Sequence, residues 1–213
     1  YEIDGIHMDD YFYPTESAFP DEAEFAASGM QSLGDFRRDN INKLVSGLYS
    51  AVKAVRPDAR YGISPAGNLW SLYDGYYADV KKWCSEEGYL DYVLPQLYFG
   101  FKNKACPFAE TLEAWAEAVT NDNVRLYVGL SAAKAVLAAE GEIDAYAGSE
   151  EGKNEWIEHA DVLGRSVACI LSEPRADGYC LFSYTSLYDP LTGKKNEAFA
   201  EARKYLQIYF GVG

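Results

Sequence analysis

The sequence predicts an α/β protein in which parallel strands alternate with helices, as in part of a TIM-type (β/α)8 barrel. Strand-like and helix-like segments alternate five times along the 213 residues, which implies parallel strands joined by crossover helices. Apolar runs such as Tyr-Val-Leu-Pro at residues 92–95 are typical of strands covered on both faces. No strand is followed by a glycine-rich phosphate-binding loop, which weakens the alternative of a doubly wound nucleotide-binding sheet.

The first two predicted strands flank a long helix. Residues 2–8 alternate like a strand. Apolar side chains then recur at helical spacing over residues 41–55, with Asp35 as the predicted cap at the start of this helix and Pro57 ending it. Residues 60–64 form the second predicted strand.

The rest of the chain repeats this pattern, with a strand after each of the next three helical segments. The spacing predicts, in order, a helix over 76–84, a buried strand over 92–99, a helix over 112–119, a strand over 125–132, a long loop over 135–152, a helix over 156–168, a strand over 178–184 and a final helix over 199–209.

The strand count predicts a single domain over residues 1–213 that corresponds to strands four to eight of a barrel, with the first three strands absent. Polar or aromatic residues follow all five strands, and a barrel gathers the carboxyl ends of its strands at one active face. An incomplete parallel sheet has exposed edges. We therefore expect these edges to be covered by the missing barrel part, in another chain or a cleaved fragment, or by self-association.

The charge and composition of the chain limit the kinds of ligand it is expected to bind. The net charge of −14 argues against a duplex nucleic-acid binder and favours a neutral or cationic ligand. The sequence has no apolar run of about 18 residues, so no membrane span is predicted. Aromatic residues make up 15% of the chain, and aromatic side chains in loops are a common surface for binding sugars.

The segment Asp-Gly-Ile-His-Met-Asp-Asp-Tyr-Phe-Tyr-Pro at residues 4–14 resembles the signature of the glycosyl-hydrolase-like family ten of bacteria. The resemblance implies a TIM-type barrel, hydrolysis of a carbohydrate, and export to the cell envelope or the extracellular space. The expected substrate is a cell-envelope or extracellular polysaccharide or oligosaccharide, and no cofactor is expected. The similarity continues along the chain at residues 61–65, 77–83, 89–98, 126–130 and 181–187.

A more distant likeness connects the first strand to family-eighteen chitinases, which carry Asp-Gly-x-Asp-x-Asp-x-Glu. Asp4, Gly5 and Asp9 match this pattern. His7 replaces the middle acid, and Tyr11 replaces the glutamate that donates the proton. The chitinase mechanism therefore does not carry over to this chain.

Two adjacent acids at the end of the first strand are the main catalytic prediction. Glycoside hydrolysis needs two carboxyl groups, about 5–5.5 Å apart for retention or about 6.5–9.5 Å apart for inversion, and one must stay protonated. Asp9 is predicted as acid/base or nucleophile, and Asp10 as its partner or a clamp on a sugar hydroxyl. Glu142, in the long loop, is a further candidate acid, unless the second acid lies in the missing strands. The alternative for each is a loop acid without chemistry.

The predicted sugar-binding residues lie near strand ends or in the loops that follow. Flat aromatic faces suit stacking on a pyranose ring, polar groups suit its hydroxyls, and a lysine suits a substrate carboxylate. His7 is expected to tune Asp9 or to bond a sugar hydroxyl, and the alternative is a buried histidine without a role in the site. The candidates are His7, Tyr11, Asn68, Trp70, Tyr73, Gln96, Tyr98, Lys134 and Tyr184.

The sequence leaves one alternative to glycoside hydrolysis open and disfavours two others. A carbohydrate-binding barrel without turnover is the main alternative, because Tyr11 stands in place of a glutamate and the fourth strand ends in Ser-Ala-Ala without an acid. A metal-dependent hydrolase is disfavoured, because the only histidines are His7 and His159, and no metal is expected. A serine hydrolase is disfavoured because Gly-x-Ser-x-Gly is absent.

Overall fold

A computed structural model describes residues 2–9, 12–14 and 19–210 of the chain. The strands are β1 (Gly5–Asp9), β2 (Arg60–Ser64), β3 (Tyr92–Val93), β4 (Arg125–Ser131) and β5 (Ala176–Phe182). The helices are α1 (Glu22–Ser28), α2 (Leu33–Val55), α3 (Leu69–Gly75), α4 (Val80–Ser85), α5 (Phe108–Ala118), α6 (Ala132–Ala139), α7 (Glu150–Glu158), α8 (Val162–Ser172), α9 (Tyr184–Leu187) and α10 (Ala200–Phe210), with a 3₁₀ turn at Glu197–Phe199.

The five strands form one parallel sheet in which each strand lies beside its neighbour in sequence, in the order β1-β2-β3-β4-β5. A doubly wound sheet reverses its strand order at a switch point, whereas a TIM barrel keeps the sequential order. The prediction of an α/β fold with parallel strands is confirmed, and the strand order is that of a segment of a TIM-type barrel.

Two compact units make up the chain, one of residues 1–95 with 117–126 and the other of residues 96–116 with 127–213. Each has its own buried core of large apolar side chains, which supplies most of the stabilisation of such a unit. The first core includes Tyr61, Ile63, Leu72, Trp83 and Val93, and the second includes Phe108, Trp115, Leu130, Leu163 and Phe199. None of the helices in the described part of the chain combines the length and apolar composition needed to cross a membrane.

The long helix α2 begins earlier than predicted. Its cap is Ser32, whose hydroxyl accepts a hydrogen bond from the backbone N–H of Asp35 at 3.2 Å. Asp35 was the predicted cap, but it lies in the first turn and pairs with Arg38 at 2.7 Å. Both residues suit a helix start, since a serine accepts from free backbone N–H groups and an acid in the first turn complements the helix dipole.

Several predicted elements are shorter or divided. The predicted strand over 92–99 keeps two ladder residues, because Pro95 has no N–H to donate, and resumes as a single bridge between Gln96 and Gly129. The loop predicted over 135–152 is shorter and spans residues 140–149, because α6 and α7 include its predicted ends. Tyr184, predicted in the last strand, lies in α9. The predicted helices over 76–84 and 156–168 correspond to the pairs α3–α4 and α7–α8.

A buried ion pair joins α2 to the residue that precedes α1. The Arg37 guanidinium donates to both carboxylate oxygens of Asp21, at 2.7 and 2.9 Å, and both side chains are largely buried. The rings of Tyr13 and Tyr77 flank the guanidinium at 5.2 and 5.0 Å. The hydrogen bonds from Arg37 hold the pKa of Asp21 below its usual value.

This ion pair leads to an expected dependence of stability on pH. Because the pKa of Asp21 is lower in the folded chain than in the unfolded chain, its contribution is present above the unfolded value and is lost as pH falls through the folded one. Asp21→Asn is expected to cost about 2 kcal/mol at pH 7, and the cost should shrink on acidification. Urea unfolding of both proteins from pH 7 to pH 3 tests this, with the exposed Asp58→Asn as control. A cost independent of pH would contradict it.

Candidate active site

Two residues at the same level of the sheet, one on β2 and one on β3, position a histidine on β1. In the strand register, His7 on β1 lies beside Gly62 on β2, and Gly62 lies beside Tyr92 on β3. A Cβ at residue 62 would overlap the Tyr92 ring, so the missing side chain is what allows Tyr92 to extend over β2. The Tyr92 hydroxyl reaches His7 Nδ1 at 2.9 Å, and the two rings stack with centroids 5.8 Å apart.

The same histidine faces the first predicted catalytic acid. His7 Nε2 lies 3.5 Å from Asp9 Oδ1. A carboxylate can only accept, so the arrangement that suits all three groups has the proton on His7 Nε2 and the Tyr92 hydroxyl donating to Nδ1. Tyr92, His7 and Asp9 therefore form a polar chain, which we call the Tyr-His-Asp chain, along the surface of the sheet.

Asp9 is open to a ligand. It is the last residue of β1, beside Ser64 at the end of β2, and its side chain is 63% exposed. On the other face of β1, Met8 Sδ accepts a hydrogen bond from the hydroxyl of the buried Tyr61. His7 and Asp9 thus share the face opposite to Met8, as the alternation of the strand predicts. The other predicted residues of this motif, Asp10 and Tyr11, lie outside the described residues.

Helix α3, which follows β2, presents two exposed aromatic side chains. Trp70 and Tyr73 on α3 are 58% and 45% exposed, and they line a pocket of about 310 Å³ together with Asp79 and Lys81. The Arg38 guanidinium lies 4.0 Å from the centre of the Tyr73 ring and covers one of its faces. Trp70 is therefore the more available surface for a sugar. Asn68, which was also predicted to bind sugar, is the N-terminal cap of α3. Its side-chain oxygen accepts hydrogen bonds from the Trp70 and Ser71 N–H groups.

In the second unit, predicted and unpredicted aromatic residues pair. Tyr98 stacks on Phe182 with centroids 6.0 Å apart, and Tyr184 stacks on Tyr188 at 5.4 Å. Phe182 and Tyr184 are more than half exposed. Neither Phe182 nor Tyr188 was predicted from the sequence, although an aromatic residue at the end of a strand, as Phe182 is in β5, is a signal that could have identified the first. Gln96 forms the bridge to β4 that follows β3.

The remaining predicted residues lie near β4. Lys134, in the first turn of α6, pairs through Nζ with Asp144, whose side chain is nearly buried. This neutralises the lysine, so its predicted role as the partner of a substrate carboxylate gains no support. Glu142 is exposed in the loop over residues 140–149. Among residues 2–9, 12–14 and 19–210, no three His, Cys, Asp or Glu side chains are grouped so that they could hold a metal ion.

Comparison with known proteins decides the family. The model of a family described as Glycosyl hydrolase-like 10 matches residues 1–146. The chain belongs to this family. The family assignment made from the sequence motifs is therefore confirmed, whereas the likeness to family-eighteen chitinases stays a prediction. The match to the Glycosyl hydrolase-like 10 family spans β1 to α6, and so includes His7, Asp9, Gly62 and Tyr92.

Individual proteins that resemble the chain are also named as glycosyl hydrolases. The chain is 36% identical over 156 residues to "Glycosyl hydrolase YngK" of Bacillus subtilis (strain 168), a match covering 63% of this chain and 30% of that protein. It is 32% identical over 150 residues to "Glycosyl hydrolase DigH" of Escherichia coli (strain K12), covering 62% of this chain and 34% of that protein. The match therefore spans about a third of the length of these two relatives.

Proposed function

We propose that this chain is part of a glycoside hydrolase that cleaves a bacterial cell-envelope or extracellular polysaccharide, with a glycan of amino sugars as the preferred substrate. Membership of the Glycosyl hydrolase-like 10 family supports a glycosidase, and so do the names of YngK and DigH. The proposed location, outside the cytoplasm, follows from that substrate.

One observation carries the proposal, namely an exposed carboxylate at a strand end that is oriented by the Tyr-His-Asp chain. A carboxylate that faces water beside an imidazole N–H is suited to attack a sugar carbon or to accept a proton from water. The general acid must then be a second carboxyl group, kept protonated by its surroundings. Asp10 and Glu142 remain the proposed candidates for this role.

Binding of the glycan is proposed to use the exposed aromatic side chains described above. In the first unit Trp70 offers an open ring face, and in the second unit the exposed ring of Phe182, stacked on Tyr98, offers a separate one. Pyranose rings have apolar C–H faces that pack on flat aromatic rings, while their hydroxyls bond to polar groups. The net charge of −14 favours a glycan without negative charge.

A carbohydrate-binding protein without turnover is the second candidate. His7 occupies the position at which chitinases carry an acid, and β4 ends at Ser131, which two alanines of α6 follow. Asp144, a nearby acid in the following loop, is paired with Lys134. If no second carboxyl group completes the site, these observations favour a protein that binds the glycan without cleaving it.

Product formation separates the two candidates. The full-length protein is incubated with amino-sugar glycans, such as chitin oligosaccharides and bacterial cell-wall glycan strands, and with neutral glucans. New reducing ends and product masses are then measured. Release of oligosaccharides by the wild type, lost in Asp9→Asn, supports the hydrolase. Saturable binding of the same glycans without any product supports the second candidate, and product from Asp9→Asn at the wild-type rate excludes Asp9 from the chemistry.

The role of Tyr92 gives a further expected result. Tyr92→Phe keeps the ring over Gly62 but removes the hydroxyl that holds His7 Nδ1. The loss of one such hydrogen bond is worth about 1 kcal/mol, so kcat should fall roughly five- to tenfold while KM changes little.

The control for this variant is Tyr49→Phe on α2, which removes a hydroxyl elsewhere in the first unit. It should leave kcat and KM unchanged. If Tyr92→Phe behaves in the same way as Tyr49→Phe, the hydroxyl of Tyr92 has only a structural role.

A further inference from the structure

A pocket in the second unit is lined by apolar and aromatic side chains that are exposed to solvent. Its volume is about 300 Å³, at the lower end of the range for small-molecule sites. Three of its side chains are exposed although they are apolar or aromatic: Leu137 by 41%, Ile143 by 50% and Tyr146 by 92%. Trp156 of α7, which is almost fully buried, contributes another wall. Exposed apolar side chains grouped around a concavity are typical of a binding site.

Hydrogen bonds and an ion pair connect the loop that forms this pocket to α6 and α7. The Asp144 carboxylate bonds to Lys134 and accepts the Tyr146 N–H at 3.3 Å. The Asp144 N–H donates to the Lys153 carbonyl at 2.9 Å, and the Glu142 N–H donates to the Leu137 carbonyl at 2.9 Å. Tyr146 is thus presented to solvent by a braced backbone, so a ligand that stacks on it does not have to order the loop.

The charges of the pocket select the kind of ligand. Lys134 and Asp144 neutralise each other, and the exposed Glu142 leaves the lining with a net negative charge. An anionic sugar would therefore be repelled. A neutral pyranose suits both the apolar walls and the polar groups, since its C–H face can pack on an aromatic ring while its hydroxyls bond to Glu142 and Lys134.

We infer that this pocket is a subsite for a neutral pyranose unit of the glycan, with Tyr146 as the stacking surface. The inference rests on the proposed function, since it concerns binding of the same class of glycan. It also assigns Glu142, which lines the pocket beside Tyr146, to sugar binding instead of catalysis, and so leaves Asp10 as the proposed general acid.

A local signal from Trp156 can report occupancy. The full-length protein carrying Asp9→Asn, so that ligand is not consumed, is labelled with fluorotryptophan, and the ¹⁹F resonance of Trp156 is assigned from Trp156→Phe. The probes are hexamers of N-acetylglucosamine, glucose and galacturonate. We expect saturable shifts of the Trp156 resonance with the neutral hexamers and none with the galacturonate hexamer.

Tyr146→Ala then tests the stacking surface. Loss of the ring should raise the Kd for the neutral hexamers roughly three- to tenfold. Tyr209→Ala, which removes an exposed tyrosine from α10, is the matched control and should leave the Kd unchanged. An unmoved Trp156 resonance, an unchanged Kd in Tyr146→Ala, or preferential binding of the galacturonate hexamer would overturn the inference.

Failure of this inference can be told from failure of the proposed hydrolysis. If the wild type releases reducing ends but the Trp156 resonance does not respond, the subsite is wrong and the hydrolase stands. If no product forms while Tyr146 still contributes to binding, the subsite stands and the protein binds glycans without cleaving them.

Discussion

Replacing Asp9 by Asn is expected to reduce glycan hydrolysis by about 10²- to 10⁴-fold, the range found when a group that transfers a proton in the transition state is removed. The carboxamide has nearly the same shape, but it cannot attack a sugar carbon or accept a proton. The fold should not suffer, because the Asp9 side chain is 63% exposed and lies at the end of β1. The measurement is kcat/KM for release of reducing ends.

The control for Asp9→Asn is Asp58→Asn, a change of the same kind in the turn before β2, at the opposite end of the parallel strands. Both variants should unfold at the wild-type urea concentration, and only Asp9→Asn should lose activity. If the two variants lose activity equally, the loss comes from charge or stability. If neither does, the catalytic carboxylate lies elsewhere.

The elements that depend on local signals were predicted well. Strand β2 agrees with its predicted bounds, since Pro57 ends the helix before it and a short apolar run follows. Trp83, Trp115 and Trp156, which have helical spacing, lie in the two cores as their periodicity indicates. The acidic end of β1 was also found from sequence, since parallel strands place their carboxyl ends at one edge and Asp9 directly follows the alternating segment.

The contacts that depend on register could not be predicted. Nothing in the local sequence indicates that Gly62 makes room for Tyr92 to reach His7, because this requires the alignment of three strands. The pairing of Lys134 with Asp144 depends in the same way on how the loop over residues 140–149 folds back on α6. Side-chain pairs of this kind are set by tertiary contacts, so the sequence placed Asp9 at the end of β1 but did not indicate which side chains surround it.

A buried carboxylate in the second unit is expected to make stability depend strongly on one arginine. Glu155 on α7 has no exposed side-chain surface, accepts the Lys102 N–H at 2.8 Å, and pairs with Arg165 of α8 at 3.2 Å. Arg165→Leu keeps apolar contact with Phe101, over whose ring the guanidinium lies at 4.5 Å, but leaves the buried charge uncompensated. The free energy of unfolding should fall by roughly 3 kcal/mol, as for other buried pairs that lose one partner.

A second variant decides whether the buried charge is the cause. Glu155→Gln retains an oxygen for the Lys102 N–H and removes the charge, so the double variant Arg165→Leu/Glu155→Gln should be more stable than Arg165→Leu alone. Lys153→Leu is the matched control, because its pair with the exposed Glu150 spans 3.5 Å and should be worth less than about 1 kcal/mol. Urea unfolding of all four variants completes the cycle. If Arg165→Leu costs no more than Lys153→Leu, the buried charge does not control stability. If Arg165→Leu is costly but Glu155→Gln does not restore stability to it, the loss comes from packing on Phe101 instead of from charge.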